Sequence, residues 1–140
     1  GDPQTWARSA ADLASIERAH YPDLRSALQE NPNLLLIDVR RTTEWQDGHI
    51  PSARHVPLHD LPSATAQIAA WSREASHAGA DPTVWLTCGS GFRAMVAASL
   101  LARAGIPVVA VDDEFTNAAT SGLTLVTDEH AEMLAGAYFD

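Results

Sequence analysis

Two kinds of stretch take turns along this chain: short continuous apolar runs and longer segments with helical spacing. The runs at 34–39, 83–87 and 108–111 are apolar nearly throughout and give way to polar or charged residues, which predicts strands buried on both faces. A shorter strand, Arg54-His55-Val56, is expected between Pro51 and Pro57. An edge strand is expected over 15–18, within an alanine-rich stretch at 6–20 that has the composition of a short helix. Tyr21-Pro22-Asp23-Leu24 opens a helix that runs to about Glu30, proline being tolerated in a first turn where its missing N–H has no intrahelical partner. Asn31-Pro32-Asn33 breaks it. Thr42 or Thr43 caps a short helix through Glu44, Trp45 and Gln46, stopped by Asp47-Gly48. Ile68, Ala69 and Trp71 mark the apolar side of a helix over 63–77, and an apolar helix is expected over 94–104. Asp112-Asp113-Glu114 leads into a short helix to about Thr120. The acidic, weakly amphipathic segment 128–140 reads as a docking helix or a frayed tail.

Strands alternating with helices imply right-handed crossovers and a parallel sheet covered on both faces. Ligands of such sheets bind beyond the carboxyl ends of the strands. The candidate walls of a site are therefore Asp38-Val39-Arg40-Arg41, the loop opening at Cys88, and Asp112-Asp113-Glu114. No repeat, linker or low-complexity tract interrupts the pattern, so residues 1–140 are expected to form one domain.

Composition narrows the function classes. Hydrophobic residues at 46% against 19% charged belong to a chain that buries a core, and no apolar run approaches the length that spans a bilayer. A net charge of −9 argues against nucleic acid and anionic membranes, which need clustered basic residues. It also means that an anionic substrate must be drawn by local dipoles against the field of the whole chain. One cysteine excludes an intrachain disulfide and a multi-cysteine metal cage, and a free thiol suits a reducing compartment, so a cytoplasmic location is expected. The six histidines are dispersed; His55 and His59 stand four apart, but Pro57 between them rules out a shared helix face. No metal and no cofactor is implied. The chain starts on glycine, not methionine, so it is read as a piece of a longer protein whose targeting is not judged.

The chemistry concentrates at Cys88-Gly89-Ser90-Gly91-Phe92-Arg93. A thiol between a strand end and a helix start, in a loop with two glycines, sits where backbone N–H groups and a helix dipole favour negative charge. Such a setting makes a thiol nucleophilic, and this outweighs the alternative of a buried structural cysteine. Arg93 either contacts substrate or pairs with a carboxylate such as Glu44 or Asp38 and so shapes the loop. Asp38 and Arg40 read first as an ion-pair network fixing the turn after their strand, with Arg40 or Arg41 also at the pocket mouth to attract anions. Glu44 and His49 are expected to give structural support, and Trp45, Trp71 and Trp85 to pack.

These residues resemble a known family. Asp38-Val39-Arg40, Glu44-Trp45, Gly48-His49-Ile50-Pro51-Ser52-Ala53 and Pro57 are similar to the rhodanese pattern around its second strand. Cys88-Gly89-Ser90-Gly91-Phe92-Arg93-Ala94 is similar to that family's active-site loop, with Ser99-Leu100-Leu101 in the helix that follows. The resemblance covers about 20–125. It implies an α/β fold with a mainly parallel five-stranded sheet and helices on both faces. It also implies a sulfurtransferase: Cys88 takes a sulfane sulfur from thiosulfate or a low-molecular-weight persulfide, becomes a persulfide, and passes the sulfur to a thiol or cyanide. Gly89, Ser90, Gly91, Phe92, Arg93 and Arg40 would then bind the donor. Relatives with phosphatase or arsenate reductase chemistry place five residues between cysteine and arginine; here there are four, Gly89 to Phe92. Where the family usually carries Asp-Gly-Gly, this chain has Asp112-Asp113-Glu114, whose extra carboxylates would oppose an anionic donor. That departure favours the alternative of a non-catalytic interaction module. Together with Arg40-Arg41 it also resembles rhodanese domains fused to bacterial hydrolases of metallo-β-lactamase fold, whose substrates are glutathione persulfide or related thiols.

Overall fold

A computed structural model describes residues 16–127. The short helix expected over 6–20 lies outside the described residues up to 15, and 16–20 holds a strand and no helix; the acidic segment 128–140 lies outside the described residues. Five strands, β1 (Arg18–Ala19), β2 (Leu35–Asp38), β3 (Arg54–His55), β4 (Val84–Thr87) and β5 (Val108–Val111), form one sheet in the order β1-β5-β4-β2-β3. Every pairing of these strands is parallel. The helices are α1 (Tyr21–Glu30), α2 (Thr42–Asp47), α3 (Leu61–His77), α4 (Phe92–Arg103) and α5 (Thr116–Thr120), with a 3-10 turn at Leu58–Asp60. His49 and Val126 add an isolated antiparallel bridge.

Successive strand residues point to opposite faces, and the two faces pack different helices. Ile37, Val84, Leu86 and Ala110 meet Leu61 and Ile68 of α3 and Ala94, Ala97, Ala98 and Leu101 of α4. Leu36 and Val111 meet Tyr21 and Leu24 of α1 and Ala118 of α5. The sheet is thus covered on both sides, the α/β architecture expected. The short α2 contributes no fully buried residue to either cluster.

Boundaries shift for local reasons. α3 starts at Leu61, not at 63, because Pro62 fits its first turn. α4 starts at Phe92, not at 94, because Gly91 in the left-handed region (φ 99°) ends the loop directly before it. The edge strand is Arg18–Ala19, not 15–18, and β3 ends at His55, with Val56 donating its N–H to the Asp38 carbonyl beyond the paired register.

Candidate active site

Two loops at the carboxyl ends of neighbouring strands build the site: one after β2, one after β4. β4 delivers Cys88 into the core with no exposed surface. Its Sγ accepts hydrogen bonds from the N–H of Gly91 at 3.1 Å and the N–H of Ala94 at 3.2 Å. Both donors belong to the head of α4, where backbone N–H groups lack intrahelical partners. Gly91 is required there twice over: its φ is left-handed, and a Cβ would stand 2.5 Å from the Asp112 Oδ1 and 2.9 Å from the Asp112 Cα. Gly89 leaves room for the Arg93 guanidinium, which would lie 2.8 Å from a Cβ at that position. Ser90 is exposed, and Phe92 is 71% exposed at the loop's outer edge.

Arg93 does not stand free. Its two terminal nitrogens donate to Glu44 at 2.6 and 2.9 Å, a bidentate pair joining α4 to α2. The guanidinium holds the Glu44 carboxyl at about 2, well below its ordinary value, and the carboxylate raises Arg93 in turn. Glu44 also accepts the Arg41 N–H at 3.1 Å, closing the first turn of α2.

The structure does not bring Arg40 to the mouth of the site. It is 4% exposed; its guanidinium donates to both Asp38 oxygens and, at 2.8 Å, to the Gly48 carbonyl, with its carbon 3.7 Å from the Phe115 ring centroid. Asp38 lies just two residues back on the strand end and captures the side chain before it can turn outward. Arg41 takes the outward place. It lines a cleft of about 280 Å3 with Val39, Pro57, Leu58, His59 and Arg93. The cleft has an apolar wall and a basic rim. Pro57, Leu58 and His59 were not among the candidate site walls read from the sequence, although they follow β3 and so obey the same strand-end rule as the loops that were singled out.

His49 sits behind α2. Its Nδ1 lies 2.9 Å from the Trp45 carbonyl, so that nitrogen carries the proton, and its ring stacks on Trp45 at 3.5 Å. His55 stacks on Trp45 at 4.7 Å and its Nε2 donates to the Arg40 carbonyl at 2.8 Å. On the other side of the cysteine loop, Tyr21 is fully buried and its hydroxyl lies 2.5 Å from Thr87 Oγ1 and 3.2 Å from the Cys88 carbonyl. One proton order satisfies all three: Thr87 donates to Tyr21, and Tyr21 donates to Cys88. Burial pushes the Tyr21 phenol well above its ordinary value, so it stays a neutral donor. Asp113 turns away from the loop to accept the Tyr21 N–H at 3.0 Å, while Glu114 is exposed. Tyr21 carries no sequence signal for this role, since the partners lie 66 and 67 residues away.

Among the described residues, no group of histidine, cysteine and acidic side chains is arranged to hold a metal. No described helix is long and apolar enough to cross a membrane.

Comparison with known proteins places this geometry. The chain matches the model of the Rhodanese-like domain family over residues 21–118. It is 23% identical over 101 residues to YrkF of Bacillus subtilis (strain 168), a protein named for a proposed sulfur-carrier role. That match covers 72% of this chain and 49% of YrkF, so the chain spans about half the length of its curated relative. A rhodanese-like domain protein from Staphylococcus aureus is similar in structure, with a TM-score of 0.65 at 20% identity over 80% of this chain and 100% of that one. A thiosulfate sulfurtransferase from Pseudomonas aeruginosa gives 0.61 at 23% identity, over 85% of this chain and 22% of the other. These likenesses establish the shared fold, and the matched family segment contains the Cys88 loop together with the strands and helices that hold it. The chain belongs to the rhodanese-like domain family.

Proposed function

We propose that this protein is a sulfurtransferase in which Cys88 carries a sulfane sulfur as a cysteine persulfide. The observation that supports it most directly is the pair of main-chain N–H groups donated to Sγ at the head of α4. Donors fixed by the fold stabilise negative charge on sulfur without reorganising during reaction. Attack of the Cys88 thiolate on the outer sulfur of thiosulfate forms the new S–S bond, breaks the old one and releases sulfite with the bonding pair. With a low-molecular-weight persulfide the leaving group is the parent thiolate. In the second half-reaction a thiol or cyanide attacks the outer sulfur, and the electron pair returns to Sγ. No general base is needed, because the thiolate is itself the nucleophile.

The cleft supports an anionic donor. Arg41 and Arg93 line it; Glu44 offsets the charge of Arg93, so Arg41 supplies the local positive charge that opposes the net −9 of the chain. In this reading Gly89, Ser90, Gly91 and Phe92 form the cradle, Arg93 is shaped by Glu44, and Asp38 with Arg40 stiffens the neighbouring turn. We further read 1–140 as one such domain, working in the reducing cytoplasm. A hydrolase of metallo-β-lactamase fold, fused or separate, would be its partner.

A second reading, a non-catalytic interaction module, is favoured by the complete burial of Cys88 and by the engagement of Arg93 with Glu44. Phosphoryl or arsenate chemistry is less well supported, because only four residues separate Cys88 from an arginine that Glu44 already holds. Intact-protein mass before and after thiosulfate or glutathione persulfide separates these readings. The expected result is a gain of one sulfur that is absent in Cys88→Ser and reversed by cyanide. A folded, reduced protein that gains nothing from either donor would overturn sulfur carriage and favour the module.

A further inference from the structure

The turn after β5, Asp112-Asp113-Glu114-Phe115, has no part in the sulfur chemistry above, yet it reaches the cysteine loop at several points. The Phe115 N–H donates to the Gly89 carbonyl at 2.8 Å. The main chain of Asp112 lies against Gly91, the residue whose N–H is on Sγ. Asp113 acts at one remove. Its Oδ2 accepts the first N–H of α1, from Tyr21, at 3.0 Å, and its Oδ1 accepts the Glu114 N–H at 2.8 Å and the Asn117 Nδ2 at 2.7 Å. Burial pushes the Asp113 carboxyl up, but the bonds from Asn117, Tyr21 and Glu114 outweigh it and leave it below its ordinary value. Tyr21, so anchored, presents its hydroxyl to the Cys88 carbonyl and packs edge-on against Phe115 at 6.0 Å.

We propose that Asp113, Tyr21 and Phe115 are positioning residues: they hold the carbonyls of Cys88 and Gly89 to one side and so orient the loop around the thiol. The described peptide bonds are all trans. In a planar trans peptide the carbonyl and the next N–H point in opposite directions. Tyr21 holding the Cys88 carbonyl therefore turns the Gly89 N–H away from α1. Phe115 holding the Gly89 carbonyl turns the Ser90 N–H away from the β5–α5 turn, towards the open side where Ser90 is exposed. The acid at 113 thereby sets where α1 begins relative to β5. The inference rests on Cys88 being the reactive group, as proposed above.

The test is the second-order rate of Cys88 alkylation by iodoacetamide at neutral pH, with one thiol alkylated per chain confirmed by mass. Tyr21→Phe keeps the buried ring and deletes the hydroxyl with both its bonds, to Thr87 and to the Cys88 carbonyl; losing the one that holds the loop, a bond of ordinary strength, slows alkylation about fivefold. Asp113→Gly slows it by a similar factor, and Asp113→Asn, which keeps an acceptor oxygen, stays within about twofold of wild type. Glu114→Gln removes the same charge from an exposed neighbour and leaves the rate unchanged. Sulfur loading, where it occurs, loses rate with the donor KM intact, since the cleft is untouched. General loosening predicts the opposite sign, because it exposes a buried thiol and speeds alkylation. An unchanged or faster rate in Tyr21→Phe overturns the proposal, as does equal slowing by Glu114→Gln or a failure of Asp113→Asn to rescue. If Asp113→Gly does not fold, Tyr21→Phe decides alone. Alkylation needs no sulfur donor, so a wild type that is alkylated but never loads sulfur sinks the sulfurtransferase reading and leaves this one standing.

Discussion

The loops after β2 and after β4 lie side by side and are held in opposite ways. The first is fixed by side-chain charge: Asp38 and Arg40 are both buried and share four hydrogen bonds counting the Arg40 N–H. The second is fixed by main chain: glycines, a helix head, and carbonyls tied to Tyr21 and Phe115. The ion pair that bridges from the second loop, Glu44 with Arg93, is 34% and 29% exposed. The difference teaches how the same fold satisfies two kinds of buried group. Where the buried anion is a permanent carboxylate, a matching guanidinium satisfies it. Where it is the Cys88 sulfur, the groups turned towards it are main-chain N–H dipoles, which bring no side chain between the sulfur and its surroundings.

Arg40→Ala should break the comparison most severely. It leaves Asp38 buried without its cation, which costs about 3–5 kcal/mol in urea unfolding. Arg40→Lys should recover only part of this, because an ammonium cannot serve both carboxylate oxygens and the Gly48 carbonyl in one plane. A loss below about 1 kcal/mol for Arg40→Ala would mean that water reaches Asp38.

Gly91→Ala comes next. A residue forced to φ 99° against Asp112 costs about 1–3 kcal/mol, and the displaced N–H should slow Cys88 alkylation as well. Unaltered stability would show that the β4 loop is looser than its contacts imply.

Glu44→Gln should have a smaller effect, under about 1 kcal/mol, since the pair is a third exposed and screened by solvent. Its pH dependence is distinctive. The folded-state carboxyl is depressed from 4.5 to about 2, so the pair's contribution is complete above about pH 4.5 and fades as pH falls through 2. Wild type and Glu44→Gln should therefore differ in unfolding midpoint at pH 6 and converge near pH 2. A constant gap would remove Glu44 as the group responsible.

Cys88→Ser sharpens the contrast from the other end. The hydroxyl can accept the same two N–H groups, so stability should change by less than about 1 kcal/mol while sulfur loading disappears. A large loss would mark Cys88 as a core residue first.

Much of this was legible in the sequence, for reasons that differ by element. β2, β4 and β5 are apolar on both faces, and no helix period competes with that pattern. The Cys88 loop was legible because glycine spacing and a strand–helix junction are local. Arg40 was legible in part: its ion pair with Asp38 was the first reading, and the burial of that pair removes the alternative of a donor-binding place at the mouth. The Arg93 pairing had two candidates, Glu44 and Asp38, and the choice depended on where α2 lies over a separation of 49 residues. The role of Asp113 was hidden for the same reason. A carboxylate beside other acids reads as repulsion of an anionic donor until its partner, Tyr21, 92 residues earlier, is brought to it.

The six-residue α2 sits on the molecule without a buried side chain of its own, held by ring stacking and by Glu44. Segments with so little apolar anchorage open at lower free energy than the sheet they cover. Amide hydrogens of α2 should accordingly exchange well before those of β2 and β4. Because Arg41 stands at the start of this segment and lines the cleft, and Glu44 within it holds Arg93, the rim of the cleft would breathe on its own clock, independently of global unfolding.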